Sequence, residues 1–485
     1  MSVSRPAAVI VLAAGEGTRM KSRQPKILHD LCGRSMLGHV LAATGHLEPE
    51  RTIVVVGYGR DQVRAHLAEI APGAETVVQA DQRGTGNAVR QVAETAGIPR
   101  GTVLVTNGDH PLLRGEIFAE LLAAHEAGGN AVTVLSVQVP DPHGYGRIVR
   151  DESGDFAEIV EEKETTPAQQ GIHEINTGMY AFDGGLLGDV VKRIGSDNTK
   201  GEEYLTDAIA ILRGDGHKVG AAIAEDWVEL QGVNDRVQLA EARRMLNERL
   251  LNGWMRAGVT FVDPRTAWID VTVTFERDAV IEPNTQLRGA THIGEGAHVG
   301  PGVVLTDTTV GAEATLVNAV ADGAEIGPGA SVGPYAYLRP GTRLGARAKA
   351  GTYVEMKNAV VGEGTKIPHL TYVGDAEIGS GSNIGASTVF VNYDGVAKHK
   401  TKVGDHVRVG SDTMLVGPLT IGDGAYTAAG SVITKDVPPG ALGVARGQQR
   451  NIEGWVERRR SGTASADAAK RARGEDAERS EHRKD

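Results

Sequence analysis

The chain has 485 residues and a formal net charge of −11, and 40% of its residues are hydrophobic. The length is too great for one ordinary domain, and the acidic balance excludes wholesale nucleic-acid binding, which needs a dominant basic surface. The single cysteine, Cys32, excludes an intrachain disulfide and fits a reducing compartment, so we expect a cytoplasmic protein.

The first part of the chain, residues 1–232, alternates short apolar runs with helix-like segments. The apolar run at residues 7–14 is too short to cross a bilayer and leads into a glycine-rich loop, so we expect a buried first strand and no membrane insertion. Similar runs lie at residues 53–56, 102–105 and 132–135. This alternation predicts a Rossmann-like α/β domain whose sheet is covered on both faces.

A charged, proline-free segment follows at residues 233–256. Its larger apolar residues recur at helical spacing, and they are Leu239, Leu246, Leu250 and Trp254. The spacing predicts a helix that links two domains.

From residue 281 an aliphatic residue returns at about every sixth position. These residues are Ile281, Leu287, Ile293, Val299, Leu305, Val320, Ile326, Val332, Leu338, Leu344, Val361, Ile367, Val373, Ile378, Ile384, Val403, Val409, Leu415, Ile421 and Ile433. No helix has a period of six, whereas one short strand plus a turn does, and three such units close a triangular coil. The pattern predicts a parallel β-helix over residues 257–456, although the period does not give its handedness.

The last segment, residues 457–485, contains no Val, Ile, Leu, Met, Phe, Tyr or Trp. A segment of this composition has too little apolar area to offset the entropy of ordering. We therefore expect a disordered tail.

The loop after the first strand has the composition of a phosphate site. Gly15 and Gly17 allow backbone N–H groups to approach an anion, while Arg19 and Lys26 supply positive charge. Glu16 fits less well, because it places a carboxylate inside the loop. Its position leaves the detailed phosphate geometry open.

A magnesium site is predicted at the end of another strand. Asp109 follows the apolar run at residues 102–105, at the edge where open α/β sheets bind ligands. Asn234 offers a second oxygen. Mg²⁺ accepts so sparse a set of protein ligands because it keeps waters and phosphate oxygens in its shell.

These strings resemble the signature of sugar-phosphate nucleotidyltransferases. The matching segments are residues 12–19, 79–86, 106–109, 145–148, 161–163, 174–178 and 232–234. Among them, residues 79–86 resemble the family's base-reading loop. Three others resemble its sugar-binding segments, in which Gly146, Glu161 and Asn176 would contact the sugar. The resemblance implies that Arg19 and Lys26 assist catalysis. It also implies a binding site for UDP-N-acetylglucosamine made of Leu12, Ala13, Gly15, Lys26, Gln79, Gly84, Thr85, Gly146, Glu161, Asn176 and Asn234.

In the second half, His369 stands within the regular repeat and residues 392–395 interrupt it. Taken together with the matching segments of the first half, these features make residues 8–455 resemble one bacterial family. It is the family of bifunctional N-acetylglucosamine-1-phosphate uridyltransferase/glucosamine-1-phosphate N-acetyltransferases. The resemblance implies a left-handed β-helix and His369 as general base, since an imidazole with a pKa of about 6.5 can deprotonate an amine near neutral pH.

The same resemblance implies two further groups of binding residues. Those for the amino sugar phosphate are Arg339, Lys357, Tyr372 and Asn383. Those for acetyl-CoA are Ala386, Asn392, Tyr393, Ser411, Ala429 and Arg446. The resemblance also implies that Asn392 orients the reacting groups. Backbone N–H groups near Ala386 and Tyr393 would face the oxyanion of the tetrahedral intermediate.

The function implied is synthesis of UDP-N-acetylglucosamine for cell-wall precursors by acetyl transfer and then uridylyl transfer. The cofactor is Mg²⁺, the co-substrates are acetyl-CoA and UTP, and the expected assembly is a homotrimer. Two alternatives stay open: a one-activity sugar nucleotidyltransferase with an oligomerising β-helix, and a non-catalytic scaffold. The first has no use for His369, and the second has no use for Lys26, Asp109 and Asn234.

Overall fold

The computed structural model describes residues 5–196 and 201–481. An α/β unit is followed by one long helix and then by a β-helix. The helices are α1 (Met36–Gly45), α2 (Arg60–Ile70), α3 (Thr85–Thr95), α4 (Gly115–Gly128), α5 (Pro167–Gln170), α6 (Gly184–Val190), α7 (Asp207–Gly214), α8 (Arg236–Arg256), α9 (Trp455–Arg459) and α10 (Ala464–Glu481). Within the described ranges, no helix combines the length and the apolar character needed to cross a membrane.

Among residues 5–196 and 201–232, the α/β unit contains eleven strands. They are β1 (Ala8–Ala13), β2 (Asp30–Leu31), β3 (Arg34–Ser35), β4 (Thr52–Val56), β5 (Glu75–Val78), β6 (Thr102–Asn107), β7 (Val132–Gln138), β8 (Arg147–Arg150), β9 (Phe156–Val160), β10 (Glu174–Asp183) and β11 (Val219–Ala224). Nine of them form one sheet with the order β11-β7-β10-β6-β1-β4-β5, to which β8 and β9 attach beside β10. The strands β2 and β3 form a separate hairpin.

The sheet is Rossmann-like, as the sequence predicts. Strand β1 runs parallel to β4 and β6, while β10 runs antiparallel to β6 and β7. Residues on both faces of β1, such as Val9 and Ile10, are fully buried. They belong to two separate apolar clusters, one on each side of the sheet. Continuous apolar runs suit strands covered by helices on both faces.

Helix α8 connects the two parts of the chain. The Asp235 side chain caps its first turn by accepting hydrogen bonds from two backbone N–H groups. Near the middle of the helix the buried Asn247 donates to the carbonyl of Ala267 at 2.8 Å and accepts from the N–H of Ile269 at 3.0 Å. The helix is therefore fixed to the first coil of the β-helix by side-chain hydrogen bonds as well as by apolar packing.

The remaining strands coil into a left-handed parallel β-helix. They are β12 (Thr260–Phe261), β13 (Trp268–Ile269), β14 (Thr274–Phe275), β15 (Val280–Ile281), β16 (Gln286–Arg288), β17 (His292–Ile293), β18 (His298–Val299), β19 (Val304–Thr306), β20 (Thr309–Val310), β21 (Thr315–Leu316), β22 (Val320–Asp322), β23 (Glu325–Ile326), β24 (Ser331–Val332), β25 (Tyr337–Leu338), β26 (Arg343–Leu344), β27 (Lys349–Thr352), β28 (Glu355–Val361), β29 (Lys366–His369), β30 (Tyr372–Ile378), β31 (Asn383–Ile384), β32 (Val389–Val391), β33 (Thr401–Val403), β34 (Arg408–Val409), β35 (Met414–Val416), β36 (Leu419–Ile421), β37 (Tyr426–Thr427), β38 (Val432–Ile433) and β39 (Leu442–Gly443). Their pairing gives an eleven-stranded and a seventeen-stranded sheet.

The repeat is confirmed, with one correction. Ile293, Val299 and Leu305 are fully buried in the axial core, as the six-residue period predicts. Val320, however, is 43% exposed, and its neighbour Ala321 is the buried residue at 1% exposure. Some coils after Leu305 contain a five-residue step, which shifts the phase of the six-residue repeat. A pattern of Val, Ile and Leu alone also leaves out the small alanine that fills the narrow core.

The C-terminal segment also differs from the sequence prediction, since it contains α9 and α10. Alanine and long charged side chains favour a helix even where little apolar surface can be buried. Arg460 lies over the ring of Trp455 at 5.3 Å, and Arg473 forms an ion pair with Glu457 at 3.1 Å. The ion pair links α10 to α9, while residues 482–485 lie outside the described residues.

Candidate functional sites

The glycine-rich loop begins where β1 ends. Gly17 has a φ of +67°, and a Cβ there would lie 2.6 Å from the Cβ of Lys26. Glycine is required at this position because the Lys26 side chain passes directly beside the backbone. Glu16 is exposed and does not line the cavity described below, so its carboxylate does not conflict with an anion site.

A cavity of about 340 Å³ opens at the carboxyl ends of β1 and β6. Predicted residues in its wall are Leu12, Ala13, Gly15, Lys26, Gln79, Gly84, Thr85 and Asp109. The other residues of the wall are Ala14, Ile27, Gln82, Ala88, Asn107, Glu202 and Tyr204. Segments from distant parts of the first 232 residues therefore meet at the sheet edge where α/β folds bind nucleotides.

The Lys26 ammonium lies between the two predicted metal ligands. Its Nζ is 2.5 Å from Oδ2 of Asp109 and 3.2 Å from Oδ1 of Asn234. Arg19 donates a second hydrogen bond to the same Asn234 oxygen at 3.0 Å. Asp109 and Asn234 are thus close enough to share one cationic group.

Asp109 is held in its ionised form. Burial raises its pKa, but His110 and Lys26 outweigh burial and bring the pKa well below the usual value for aspartate. His110 Nδ1 lies 2.9 Å from Oδ1 of Asp109 without hydrogen-bond geometry, so that this buried oxygen has no hydrogen-bond partner in the described part of the chain. An ionised carboxylate with a spare oxygen, beside an amide oxygen, suits Mg²⁺.

The predicted base-reading loop is shaped by its own hydrogen bonds. Gln79 is buried, and its Nε2 donates to the carbonyl of Gly84 at 2.9 Å and to Oδ1 of Asn87 at 3.1 Å. The amide N–H groups of Gln79 are therefore used inside the protein. Its oxygen is the group that could accept a hydrogen bond from a uracil.

Glu203 packs against this loop and was missed by sequence reasoning. Its carbonyl accepts from the N–H of Gly86 at 2.8 Å, and its 4%-exposed side chain forms an ion pair with Arg90. Leu205 N–H donates to Oγ1 of Thr85 at 3.0 Å. More than a hundred residues of chain separate the partners, so no local pattern around Glu203 indicates the contact.

The three predicted sugar-binding residues lie together. A Cβ on Gly146 would be 3.7 Å from Oε1 of Glu161, and the N–H of Asn176 donates to the carbonyl of Gly146 at 2.9 Å. Two residues after Asn176, a Cβ on Gly178 would meet Nδ2 of Asn107 at 2.5 Å. Since Asn107 lines the cavity, this group borders it.

In the second half, His369 lies at the end of β29 and is exposed. Its backbone carbonyl accepts from Oγ1 of Thr371 at 2.7 Å and from the N–H of Ser387 at 3.3 Å. The corner of the coil is therefore fixed by the backbone, and the imidazole stays accessible to a substrate.

Side chains of two successive coils converge over Gly374. A Cβ on this glycine would lie 2.5 Å from the hydroxyl of Tyr372 and 2.6 Å from Nδ2 of Asn392. Asn392 in turn donates to Oδ2 of Asp375 at 2.5 Å. The predicted residues Tyr372 and Asn392 are thus neighbours, and Asp375 is a member of the group that sequence reasoning missed.

Two lysines stand side by side next to Asp375. Lys357 pairs in register with Gly374, over which Asn392 lies, and its ammonium is the main cause of a lowered pKa of Lys398. Burial raises the pKa of Asp375, but hydrogen bonds from Asn358 and Asn392 and the two lysines outweigh burial and lower it. Adjacent ammonium groups suit the oxygens of a phosphate. Lys398 was missed because it lies in the loop that interrupts the repeat.

The other two predicted sugar-phosphate residues are placed differently. Arg339 donates its backbone N–H to the carbonyl of Met356, beside Lys357, and its guanidinium pairs with Glu355 at 2.9 Å. Asn383 lies in β31 of the eleven-stranded sheet, whereas Tyr372 lies in β30 of the other sheet. Within one chain, Asn383 and Tyr372 thus belong to different sheets.

Four of the six predicted acetyl-CoA residues follow one corner of the β-helix. Backbone hydrogen bonds link this corner on successive coils, from Asp412 N–H to the Ala386 carbonyl at 2.7 Å and from Gly430 N–H to the Ser411 carbonyl at 2.9 Å. A Cβ on Gly430 would lie 3.9 Å from Arg446. Ala429 belongs to this corner as well, and Tyr393 is exposed in the loop beside it. The corner begins near His369, whose carbonyl accepts from the N–H of Ser387, the residue after Ala386.

Two family models match the chain. Residues 9–163 match the MobA-like NTP transferase domain, and residues 400–435 match the bacterial transferase hexapeptide (six repeats). The first match covers the glycine-rich loop and Asp109. The second covers strands β33 to β38 and the Ser411 and Ala429 corner.

Curated relatives match along almost the whole length. A "Bifunctional protein GlmU" of Streptomyces avermitilis is 64% identical over 97% of this chain and 98% of its own. The protein of the same name from Thermobifida fusca is 64% identical over 98% and 99%. That of Mycolicibacterium vanbaalenii is 53% identical over 95% of each chain.

Proposed function

The chain belongs to the family of bifunctional GlmU proteins, and on that premise we propose how its two halves divide the synthesis of UDP-N-acetylglucosamine. Residues 257–456 transfer the acetyl group of acetyl-CoA to glucosamine-1-phosphate. Residues 1–232 then transfer the uridylyl group of UTP to the N-acetylglucosamine-1-phosphate formed, and residues 233–256 connect the two domains. The observation that carries this proposal is the presence of two separate charged sites, one around Lys26 and one around Lys357.

In the uridylyl step an oxygen of the sugar phosphate attacks the α-phosphate of UTP. The new P–O bond forms as the bond to pyrophosphate breaks, so that positioning and charge neutralisation carry the catalysis. Lys26 and Arg19 supply positive charge to the phosphates at the mouth of the cavity. Bound Mg²⁺, held by Asp109 and Asn234, would supply further charge neutralisation. Gly146, Glu161 and Asn176 hold the sugar beside the cavity.

In the acetyl step the amino group of the sugar attacks the thioester. His369 accepts the proton of the amine, the new C–N bond forms, and the C–S bond breaks to release coenzyme A. Arg339 and Lys357 hold the sugar phosphate, and Tyr372 and Asn383 hold the sugar. Lys398, as the neighbour of Lys357, provides a second cation for the phosphate. Acetyl-CoA lies along the corner formed by Ala386, Ser411, Ala429 and Arg446, with Asn392 and Tyr393 at its reacting end.

We further propose that the protein works as a homotrimer in the cytoplasm. Tyr335 and Tyr353 stack at 5.4 Å on successive coils, each 58% exposed, and Leu370 continues this apolar column toward His369. An exposed apolar column of this kind supports an interface between β-helices. It also supports acetyl transfer at a site that adjoins a second subunit.

The test uses the whole protein with glucosamine-1-phosphate, acetyl-CoA, UTP and Mg²⁺. We expect UDP-N-acetylglucosamine, coenzyme A and pyrophosphate as products, identified by mass spectrometry. Formation of UDP-N-acetylglucosamine only when N-acetylglucosamine-1-phosphate is supplied would support a one-activity enzyme instead. No nucleotide sugar in either reaction would support a scaffold.

A further inference from the structure

The loop that interrupts the β-helix between β32 and β33 is a closed hairpin. Tyr393 and Lys398 pair as antiparallel residues, and the N–H of His399 donates to the carbonyl of Asn392 at 2.7 Å. Both ends of this hairpin belong to the proposed acetyl-transfer site. Asn392 is hydrogen-bonded to Asp375, and Lys398 stands beside Lys357.

Asp394 closes the hairpin through its carboxylate. Oδ1 accepts from the backbone N–H groups of Val396 at 2.8 Å and Ala397 at 2.7 Å. Oδ2 accepts from Nε2 of His399 at 2.6 Å. The hydrogen bond from His399 and then those from the backbone hold the pKa of Asp394 well below its usual range. One carboxylate thus ties the tip of the loop to its returning strand.

His399 connects the hairpin to the body of the β-helix. A Cβ on Gly417, in the next coil, would lie 3.3 Å from both the Cβ and the backbone oxygen of His399. The next residue, Lys400, forms an ion pair with Glu377. The returning strand is therefore fixed immediately after Lys398, while the hairpin tip at Val396 is 92% exposed.

Lys398 needs such support because its neighbour repels it. Two ammonium groups in contact disfavour each other, and a long lysine side chain on a mobile loop would move away from Lys357. The charge of Asp375 compensates part of this repulsion. The backbone of Lys398 must therefore be fixed by contacts on either side of it if the pair is to exist before a phosphate arrives.

We propose that Asp394 and His399 are positioning residues which close the loop so that Lys398 stands beside Lys357 and receives the phosphate of the amino sugar. This rests on the proposed acetyl-transfer function and deepens it. Asp394 and His399 act on the binding of the sugar phosphate and not on the amine or the thioester. Their loss should therefore change KM for glucosamine-1-phosphate more than kcat.

The test is Asp394→Ala in the full chain, with acetyl transfer measured at varied glucosamine-1-phosphate. We expect KM for this substrate to rise about tenfold, as for the loss of a charge-assisted contact, with kcat within about twofold of wild type. The uridylyl activity should not change. Asp394→Asn keeps an acceptor for the two backbone N–H groups and should recover part of the loss. The matched control is Val396→Ala at the exposed tip, which should behave as wild type.

A double variant separates positioning from general damage to the loop. If Asp394 acts through Lys398, Asp394→Ala with Lys398→Ala should raise KM no further than Lys398→Ala alone. Additive effects, or an unchanged KM in Asp394→Ala, would overturn the proposal. Should the alanine variant fail to fold, judged by circular dichroism and thermal unfolding, Asp394→Asn and His399→Gln are compared instead, and a fall in kcat at constant KM would overturn the proposal equally. Absence of acetyl transfer in the wild type would instead reject the proposed function itself.

Discussion

The protonation state of each buried ionisable side chain in the first half of the chain depends on the groups around it. Asp109 is ionised because Lys26 and His110 outweigh its burial, whereas the backbone hydrogen bonds of His39 do not outweigh the burial of its ring. Its Nε2 lies 2.8 Å from the carbonyl of Leu31, to which the neutral ring donates. Burial, assisted by the nearby charge of Arg34, lowers the pKa of His39 to about 4.

This lowered pKa predicts a loss of stability in mild acid. The unfolded chain binds a proton at His39 below pH about 6.5, whereas the folded chain does not until pH about 4. The free energy of unfolding should therefore decrease as the pH falls between these values, by about 2 kcal/mol from pH 7 to pH 5 for this one group. Urea denaturation at the two pH values measures the decrease.

His39→Gln is the matched variant, because glutamine can still donate to the carbonyl of Leu31 but does not titrate. Other buried histidines with a lowered pKa, His29 and His125, contribute equally to both proteins. The variant should lose less stability than the wild type over the same pH interval. An identical loss in both would show that His39 is not the group responsible.

At the scale of elements, the base-reading loop depends on a segment far along the chain. Gly84 has a φ of +104°, and a Cβ there would lie 2.4 Å from the carbonyl oxygen of Glu203. Gly84→Ala should therefore displace the loop, and backbone strain of this kind costs about 1–3 kcal/mol. We expect KM for UTP to rise about tenfold or more, with acetyl transfer unchanged, in steady-state assays of both activities.

Gly73→Ala is the control for this substitution, because a Cβ at Gly73 meets no atom within 4 Å. It should leave both activities as in the wild type. A normal KM for UTP in Gly84→Ala would mean that the contact with Glu203 does not shape the nucleotide site.

The elements themselves follow from short-range patterns in the sequence. The six-residue period predicts the β-helix because each coil buries its aliphatic residue against the coils next to it. The period fails at Val320 because a five-residue step and a small core residue, Ala321, change the phase without leaving an aliphatic signal. The helix α10 was not predicted because its sequence contains no large apolar side chain whose spacing could indicate a helix.

Site residues were predictable where a short sequence motif contains the functional side chains. Lys26, Asp109 and His369 stand in strings that resemble a known family. Glu203 and Lys398 do not, since each acquires its role only when folding brings distant segments together. A single sequence contains no record of such long-range contacts.

For the whole molecule, the exposed column of Tyr335, Tyr353 and Leu370 predicts an assembly. Tyr335→Asp would place a charge in the proposed interface two coils away from His369. We expect sedimentation velocity to show dissociation of the trimer and acetyl transfer to fall with it, while uridylyl transfer continues. Val262→Asp, at another exposed apolar residue near the start of the β-helix, should leave the trimer intact. A trimer that survives Tyr335→Asp would place the interface elsewhere.

The chain carries two chemically independent sites, and a reciprocal pair of variants tests their independence. Both activities are measured for Lys26→Ala and for His369→Ala. Lys26→Ala should lose uridylyl transfer by about a hundredfold or more and retain acetyl transfer, because the lysine neutralises charge only in the first site. His369→Ala should lose acetyl transfer by about a hundredfold or more and retain uridylyl transfer. Loss of both activities in either variant, or of neither, would contradict the account.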